Sequence, residues 1–477
     1  MPYVSHKASY NLGERQLEPG ERVVVGTRGG AFDPKNDPSE PRRVAKHLGV
    51  SPEQPSIIIQ HQVWQNGEYM PRWNMKQILE GDGRFKRYAD NYQGPDGSRS
   101  WGQSLRGRTV YLVHTLSNNL SNNDLASRVQ KIASNAKYHG AESVVLLAFT
   151  LDNEAQERGI HDKEHPRLQT DKARYSIEGE PHALYDSLKQ LAVAGVDAIV
   201  TPSCHDPRAA ATLCDIVNEE LAPMNQVSRE NRSTMRYKLS FYNVSLAPVV
   251  AMLLLGNAPG GPQFNTSDNG KNLIIMGPDA GILPYVREIA RSTGLSDVNQ
   301  AIMSKMKSAD GGAIELLRLE EAEGLTTERG IEGMDIVIVD DMIRSGKTMS
   351  SNIDVLYGIT LEGLSRDPRI RGTPNKVSVI TTRTNFGGES VGVLSNPRIE
   401  DVIVTNADPR GFKRMGRLSD KTSIVYINFL MAEAAKAIER GEDPNAVLTA
   451  GFIKDNRLLK VEAAHDHRSN AGSSQII

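Results

Sequence analysis

The run Asp335-Ile-Val-Ile-Val-Asp340-Asp341-Met-Ile-Arg-Ser345-Gly-Lys-Thr348 ends an apolar stretch in two adjacent carboxylates, then enters a short loop of small and hydroxyl residues. Backbone N–H groups and hydroxyls on such a loop, where it leads into a helix, bind phosphate. The twin acids Asp340 and Asp341 can accept hydrogen bonds from a vicinal diol. A phosphate site and a diol site this close together describe a ribose phosphate. Ser345-Gly-Lys-Thr348 also invites comparison with a nucleotide P-loop, but that pattern needs a glycine five residues before Gly346, where Asp341 stands. In a purely structural role the two acids would cap the following helix. Their place directly at a strand's C-terminal end, where open α/β sheets hold ligands, favours binding.

Two other strand ends carry acids. Gly277-Pro-Asp279-Ala-Gly281 follows the apolar Leu273–Met276, and Ser203-Cys-His205-Asp206 follows Asp197–Val200. A single loop histidine is ordinarily a satisfied surface group. Taken together, His205, Asp206 and Asp279 are candidate metal ligands, and an oxygen-rich set with one histidine points to Mg²⁺ rather than zinc. Lys305 and Lys307 fall in Ser304–Gly312, a stretch without apolar periodicity that is predicted to be flexible. Lysines on a mobile loop beside a phosphate site are candidates for closing over transferred phosphates and neutralising their charge.

A scaffold must hold these groups, and the chain is long enough for two domains at 477 residues, 39% of them hydrophobic. Strands are predicted at Val23–Val25, Ser56–Ile59, Thr109–Val113, Ser143–Ala148 and Asp197–Val200, with helices at Asn123–His139 and His182–Ala194. After a polar, linker-like stretch at Asn225–Tyr237 and a buried helix within Val244–Gly256, the alternation resumes. Strands at Asn272–Met276, Asp335–Val339, Val377–Ile380, Asp401–Val404 and Ser423–Ile427 enclose helices at Ile282–Thr293 and Ser350–Glu362, and Asn428–Arg440 is a closing helix. Strands alternating with helices at this spacing imply an α/β fold with parallel sheets. Residues 65–105 read as a polar insertion, and the chain from 441 to 477 as a polar, mobile tail.

Composition narrows the function classes. A formal net charge of −2 leaves no basic excess for nucleic-acid binding. Cys204 and Cys214 form no C-x-x-C pair, so neither a disulfide framework nor a zinc cluster is expected, and a reducing compartment is. No apolar run approaches the roughly 18 residues of a membrane span, and the N-terminus carries no apolar leader segment. A soluble cytoplasmic enzyme without membrane contact is the expectation.

The order of these motifs resembles the ribose-phosphate pyrophosphokinases, also called phosphoribosyl pyrophosphate (PRPP) synthetases, and more broadly the type I phosphoribosyltransferase fold. The likeness runs from about residue 56 to 440, with insertions. Val339–Thr348 is similar to the family loop V-D-D-M-I-D-T-G-G-T, Gly277–Gly281 to S-P-D-x-G, and Asn119–Leu125 to A-P-T-N-D-N-L. Trp64-Gln-Asn66-Gly-Glu68 resembles F-x-D-G-E, which in the family receives the ATP adenine from a neighbouring subunit. Ala155-Gln156-Glu157-Arg158 stands in the place of R-Q-D-R, which also holds ATP.

The resemblance implies two phosphoribosyltransferase-like domains, each a mostly parallel sheet flanked by helices. They would span residues 20–230, with 428–440 packing back on them, and residues 231–427. It implies that Trp64, Asn66, Glu68, Gln156, Glu157 and Arg158 bind ATP, that His205 and Asp279 help hold Mg²⁺, and that Lys305 and Lys307 are catalytic. Asp340 and Asp341 would hold the sugar hydroxyls, and Arg344, Ser345, Gly346, Lys347 and Thr348 the 5-phosphate end. The implied reaction moves the diphosphate of Mg-ATP to the anomeric hydroxyl of ribose 5-phosphate, giving PRPP and AMP, in a homo-oligomer that shares its ATP site.

The main departures from the family pattern are at Ala155 and in the loop at Arg344 and Lys347, with milder ones at Asn66 and Glu157. Ala155 replaces an arginine near ATP. Arg344 and Lys347 replace an aspartate and a glycine, which shifts the loop by about +3 charges at neutral pH. The extra charge favours a more anionic acceptor such as ADP-ribose, whereas Ala155 and the altered loop together favour a catalytically silent regulatory subunit. A type I phosphoribosyltransferase, which consumes PRPP, would not need the ATP-side segments.

Overall fold

The computed structural model describes residues 21–27, 40–50, 59–63, 69–73, 105–116, 121–154, 182–230, 237–307, 314–343, 346–358, 365–383, 389–408, 410–411 and 418–464. The chain divides into two compact units: residues to Val244 with Asn428–Val447, and Ser245–Ile427 with the chain from Leu448 onward.

In the first unit, strands β1 (Arg22–Gly26), β4 (Thr109–His114), β5 (Ser143–Ala148), β6 (Ala198–Pro202) and β7 (Ser240–Val244) form one sheet in the order β1-β4-β5-β6-β7. Every pairing in it is parallel. Val23–Val25, Val110–Val113 and Val144–Leu147 are buried on both faces, which is why these strands read as unbroken apolar runs rather than alternating ones. Helices Asn122–Tyr138, Ala183–Val193 and Pro207–Glu230 are the crossovers. The first is fastened at its start by a capping box in which Ser121 and Asp124 bond each other's backbone N–H. Helix Asn428–Glu439 returns to this unit: Arg22 donates to both carboxylate oxygens of the buried Glu439, at 2.9 and 2.6 Å, and Asn428 donates to Glu40 at 2.6 Å. A buried carboxylate persists only when it is paired in this way.

The second unit carries a nine-stranded sheet in the order β12-β10-β9-β8-β11-β13-β14-β15-β16. Its strands are β8 (Leu273–Gly277), β9 (Asn299–Lys307), β10 (Ile314–Glu323), β11 (Asp335–Met342), β12 (Ser365–Arg366), β13 (Lys376–Arg383), β14 (Ile399–Thr405), β15 (Thr422–Tyr426) and β16 (Lys460–Ala463). β9, β8, β11, β13, β14 and β15 run parallel, while β10 and β16 are antiparallel to β9 and β15. Its core gathers Ile274, Met276, Ile336, Ile338, Val377 and Val379 from the central strands. The expected α/β class with mostly parallel sheets is what the chain forms.

Several expectations need correction. The stretch 65–105 is not featureless. Tyr69–Trp73 (β3) pairs antiparallel with Ile59–Val63 (β2), and Tyr69 and Trp73 are buried in the first unit's core. Its polar composition hid a hairpin anchored by two aromatic residues, with Arg128 stacked 4.4 Å over the Tyr69 ring. The linker expected at Asn225–Tyr237 is helical as far as Glu230, because the preceding amphipathic helix simply continues. The helix expected at Ser350–Glu362 begins at Lys347 and ends at Leu356. The tail from 441 is structured to 464. It forms helices Pro444–Val447 and Ala450–Asp455, then an edge strand on β15, held by the buried Leu448, Ile453 and Leu459. Single apolar residues spaced among polar ones gave no local period to detect. Most of the strand expected at Ser56–Ile59 lies outside the described residues; Ile59 opens Ile59–Val63.

Candidate functional site

β11 is fully buried from Asp335 to Val339 and becomes half-buried at Asp340, Asp341 and Met342, where it emerges at the C-terminal edge of the sheet. Its pairing with β8 stops at Ile338↔Met276, whereas pairing with β13 continues to Met342↔Arg383. β8 therefore ends its pairing just as the acids appear, and the carboxyl ends of neighbouring parallel strands are the usual ligand position in such sheets. Gly277 closes β8 because a side chain there would meet Ile282 Cγ2 at 2.3 Å and Ile302 Cδ1 at 2.6 Å. Asp279 follows, exposed, with its carboxylate accepting from the Gly281 N–H at 2.8 Å.

The acids act on one another. The Asp341 N–H donates to Asp340 Oδ1 at 2.9 Å. Burial, reinforced by the charges of Asp341 and Asp279, pushes the Asp340 carboxyl up from 3.8 to about 8. Between those values the unfolded chain has released a proton that the folded chain retains. Folding stability therefore declines as pH rises from about 4 to about 8. Asp340→Asn removes this penalty, so the variant should melt higher than wild type at pH 8 and show little gain at pH 4. Thermal melts across that range check it, and a pH-independent difference would contradict it.

Arg383, at the end of β13, lies beside the pair. Its guanidinium is 2% exposed and stands 3.8 Å from Asp341 Oδ2. The Thr382 hydroxyl donates to the Asp341 carbonyl at 2.7 Å, which locks the two strand ends together. The sequence had not singled out Arg383; an arginine at the end of the next apolar strand is the signal that could have found it.

Beyond the acids, Gly346 begins helix Lys347–Leu356 in a left-handed conformation, φ 73°, and has no side chain with which to cap it. The first N–H groups of a helix so begun are available to an anion. A Cβ on Gly346 would sit 3.1 Å from Val393 Cβ and 3.2 Å from Ser390 Cα. Gly346→Ala should cost about 1–3 kcal/mol from the backbone conformation and overpacking combined. A urea midpoint equal to that of wild type would refute this. Arg344 and Ser345 lie outside the described residues; Lys347 and Thr348 are the first two residues of the helix.

Lys305 and Lys307 do not stand on a featureless loop. Both are in β9, paired with Leu317 and Ile314 of β10. The pattern Ser-Lys-Met-Lys has no alternation of its own, and its strand forms because an apolar partner strand arrives from beyond residue 313.

His205 is exposed and belongs to the first unit, whereas Asp279 belongs to the second. The Asp206 carboxylate accepts from the Arg208 and Ala209 N–H groups, at 3.2 and 3.0 Å, as a helix cap. Among the described residues, no group of three or more His, Cys, Asp or Glu is placed to hold a metal ion. What the second unit offers is hard carboxylate oxygen, which suits Mg²⁺ arriving with nucleotide phosphates rather than a cage built by the protein. Trp64, Asn66, Glu68, Gln156, Glu157 and Arg158 all lie outside the described residues.

The first sheet has a strand-end cluster that the sequence did not reveal. His114 is 3.1 Å from Thr27 through Nδ1 and 3.3 Å from Asp152 through Nε2. Among the described residues, no helix is long and apolar enough to cross a membrane.

The phosphoribosyl transferase domain family matches residues 263–362, which include the acid pair and the helix after it. The ribose-phosphate pyrophosphokinase of Aquifex aeolicus is 29% identical over 182 residues, 38% of this chain and 48% of that protein. That of Vibrio parahaemolyticus is 26% identical over 176 residues, 37% of this chain and 48% of that protein. The chain thus spans about half the length of the curated relatives it matches. In fold, the phosphoribosylpyrophosphate synthetase of Mycobacterium smegmatis superposes with a TM-score of 0.55 at 14% identity, covering 88% of this chain and 98% of that one.

Proposed function

We propose that this chain, a divergent member of the ribose-phosphate pyrophosphokinase family, transfers the diphosphate group of ATP to the anomeric hydroxyl of ribose 5-phosphate, releasing AMP. One observation carries the reading: the acid pair Asp340–Asp341 emerges at a strand end directly before a helix whose N-terminus opens on a bare, left-handed glycine. A diol acceptor next to an anion site matches the two ends of a phosphorylated pentose.

Phosphoryl-type transfer asks little covalent work of a protein, so positioning and charge neutralisation carry the rate. Asp340 and Asp341 accept from the 2- and 3-hydroxyls and fix the ring, which aims the anomeric oxygen at the β-phosphorus. Gly346, Lys347 and Thr348, with Arg344 and Ser345, hold the 5-phosphate. Lys305 and Lys307 neutralise the charge that develops on the transferred group. Trp64, Asn66, Glu68, Gln156, Glu157 and Arg158 bind ATP, from a neighbouring subunit in part, so the working form is a homo-oligomer. His205 and Asp279 would help hold Mg²⁺, which would supply further charge neutralisation on the phosphates.

ADP-ribose as acceptor is the second reading, favoured by the cationic Arg344 and Lys347 in the phosphate loop. The test is direct: incubate the full chain with Mg-ATP and each acceptor in turn, and count the AMP released. Release with ribose 5-phosphate supports the main reading, and release with ADP-ribose alone supports the second. Release with neither acceptor turns the reading toward a silent regulatory subunit.

A further inference from the structure

Arg383 brings a fixed positive charge into a strand end where Asp340, Asp341 and Asp279 already interact. Arginine cannot shed its charge when buried, so placing it at 2% exposure is costly unless its surroundings are arranged to receive it. The backbone around it is held on both sides. The Thr381 hydroxyl donates to the Arg383 carbonyl at 3.2 Å, and the Thr382 hydroxyl donates to the Asp341 carbonyl at 2.7 Å. The Thr405 hydroxyl on β14 in turn donates to the Thr382 carbonyl. β11, β13 and β14 are thereby tied together at the edge where the acids emerge, which fixes the backbone from which the Arg383 side chain reaches toward Asp341. A merely structural ion pair would need only to exist somewhere in the fold. This one stands beside the acid pair, since Arg383 pairs with Met342, the residue directly after Asp341.

We propose that Arg383 is a positioning residue for the acceptor. Its buried guanidinium holds the Asp341 carboxylate so that the acid pair meets the sugar diol in one fixed geometry. The inference rests on the reading that Asp340 and Asp341 bind that diol. Arg383 itself touches no substrate and acts through Asp341. Its loss is therefore felt in acceptor binding and not in the handling of ATP.

Steady-state kinetics of the full chain with Mg-ATP and ribose 5-phosphate, alongside calorimetric titration with ribose 5-phosphate, tests it. Arg383→Met should raise KM and Kd for the sugar phosphate by about 10- to 100-fold, the usual consequence of removing the partner that orients a ligand-binding group. KM for ATP should stay within about twofold, since Arg383 acts through Asp341 on the sugar alone. Arg383→Lys keeps the charge but not the planar fork, and should limit the sugar effect to roughly three- to fivefold. In an Asp341→Asn background, Arg383→Met should add no further loss. A folded Arg383→Met protein with unchanged KM and Kd for ribose 5-phosphate overturns the inference and leaves the reading of the site standing. If Arg383→Met does not fold, Arg383→Lys decides alone, and an unchanged sugar KM overturns the inference. If wild type neither binds ribose 5-phosphate nor releases AMP with it, the reading and the inference fall together.

Discussion

Replacing Lys305 by alanine should lower turnover by about 100-fold or more while leaving the protein folded, the usual scale for losing one group that stabilises transition-state charge. The residue is in β9, where its backbone pairs with Leu317 of the antiparallel strand β10. A strand holds its backbone in register far better than a mobile segment does. A charge that meets charge growing only in the transition state raises turnover rather than ground-state binding. The loss should therefore fall on kcat with little change in either KM. Alanine fits a strand backbone, and the β9–β10 pairing does not depend on the side chain at this position. The melting temperature should stay near that of wild type. Single-turnover rates with Mg-ATP and ribose 5-phosphate decide the matter, and a near-normal rate would remove Lys305 from the mechanism.

Asp340→Ala should weaken binding of the sugar phosphate by about 10-fold, the scale for losing a hydrogen bond whose partner is left unsatisfied. Affinity for ATP should be unchanged. Asp340 is buried enough, and close enough to Asp341 and Asp279, to resist ionisation up to about pH 8. A fold built only for stability would not keep such a carboxyl at a strand end, because an alanine there would relieve the crowding. The same substitution should thus stabilise the protein at pH 8 while it disables acceptor binding, and this opposition of sign separates a binding residue from a packing residue. Unchanged acceptor affinity would break the diol assignment.

Local sequence makes much of the framework legible. Asp335–Val339 is a run of isoleucine and valine between aspartates, and a strand buried on both faces needs that composition. Ser143–Ala148 is legible for the same reason, to its very ends. Gly346, between the acids and the apolar helix, marks the turn because its left-handed backbone suits few other residues.

What stays hidden depends on distant partners. β9 exists because β10 pairs with it, so Lys305 reads as loop until both strands are seen together. The edge strand Lys460–Ala463 is held by its pairing to β15 and by isolated buried residues of its own unit. Arg383 is 42 residues beyond Asp341, and only the parallel register of β11 and β13 brings them together. The reverse also occurs: Asp206 looks like a metal ligand in sequence, yet its carboxylate is used to cap the helix that follows.

A crystal structure of the full chain with ribose 5-phosphate and a non-hydrolysable ATP analogue tests the central claim most directly. The expected result has the sugar's 2- and 3-hydroxyls within hydrogen-bond distance of the Asp340 and Asp341 carboxylates. Its phosphate would lie against the backbone N–H groups where Gly346 opens the helix. A sugar phosphate bound elsewhere, with the acid pair facing solvent and the helix start bare, would contradict the account.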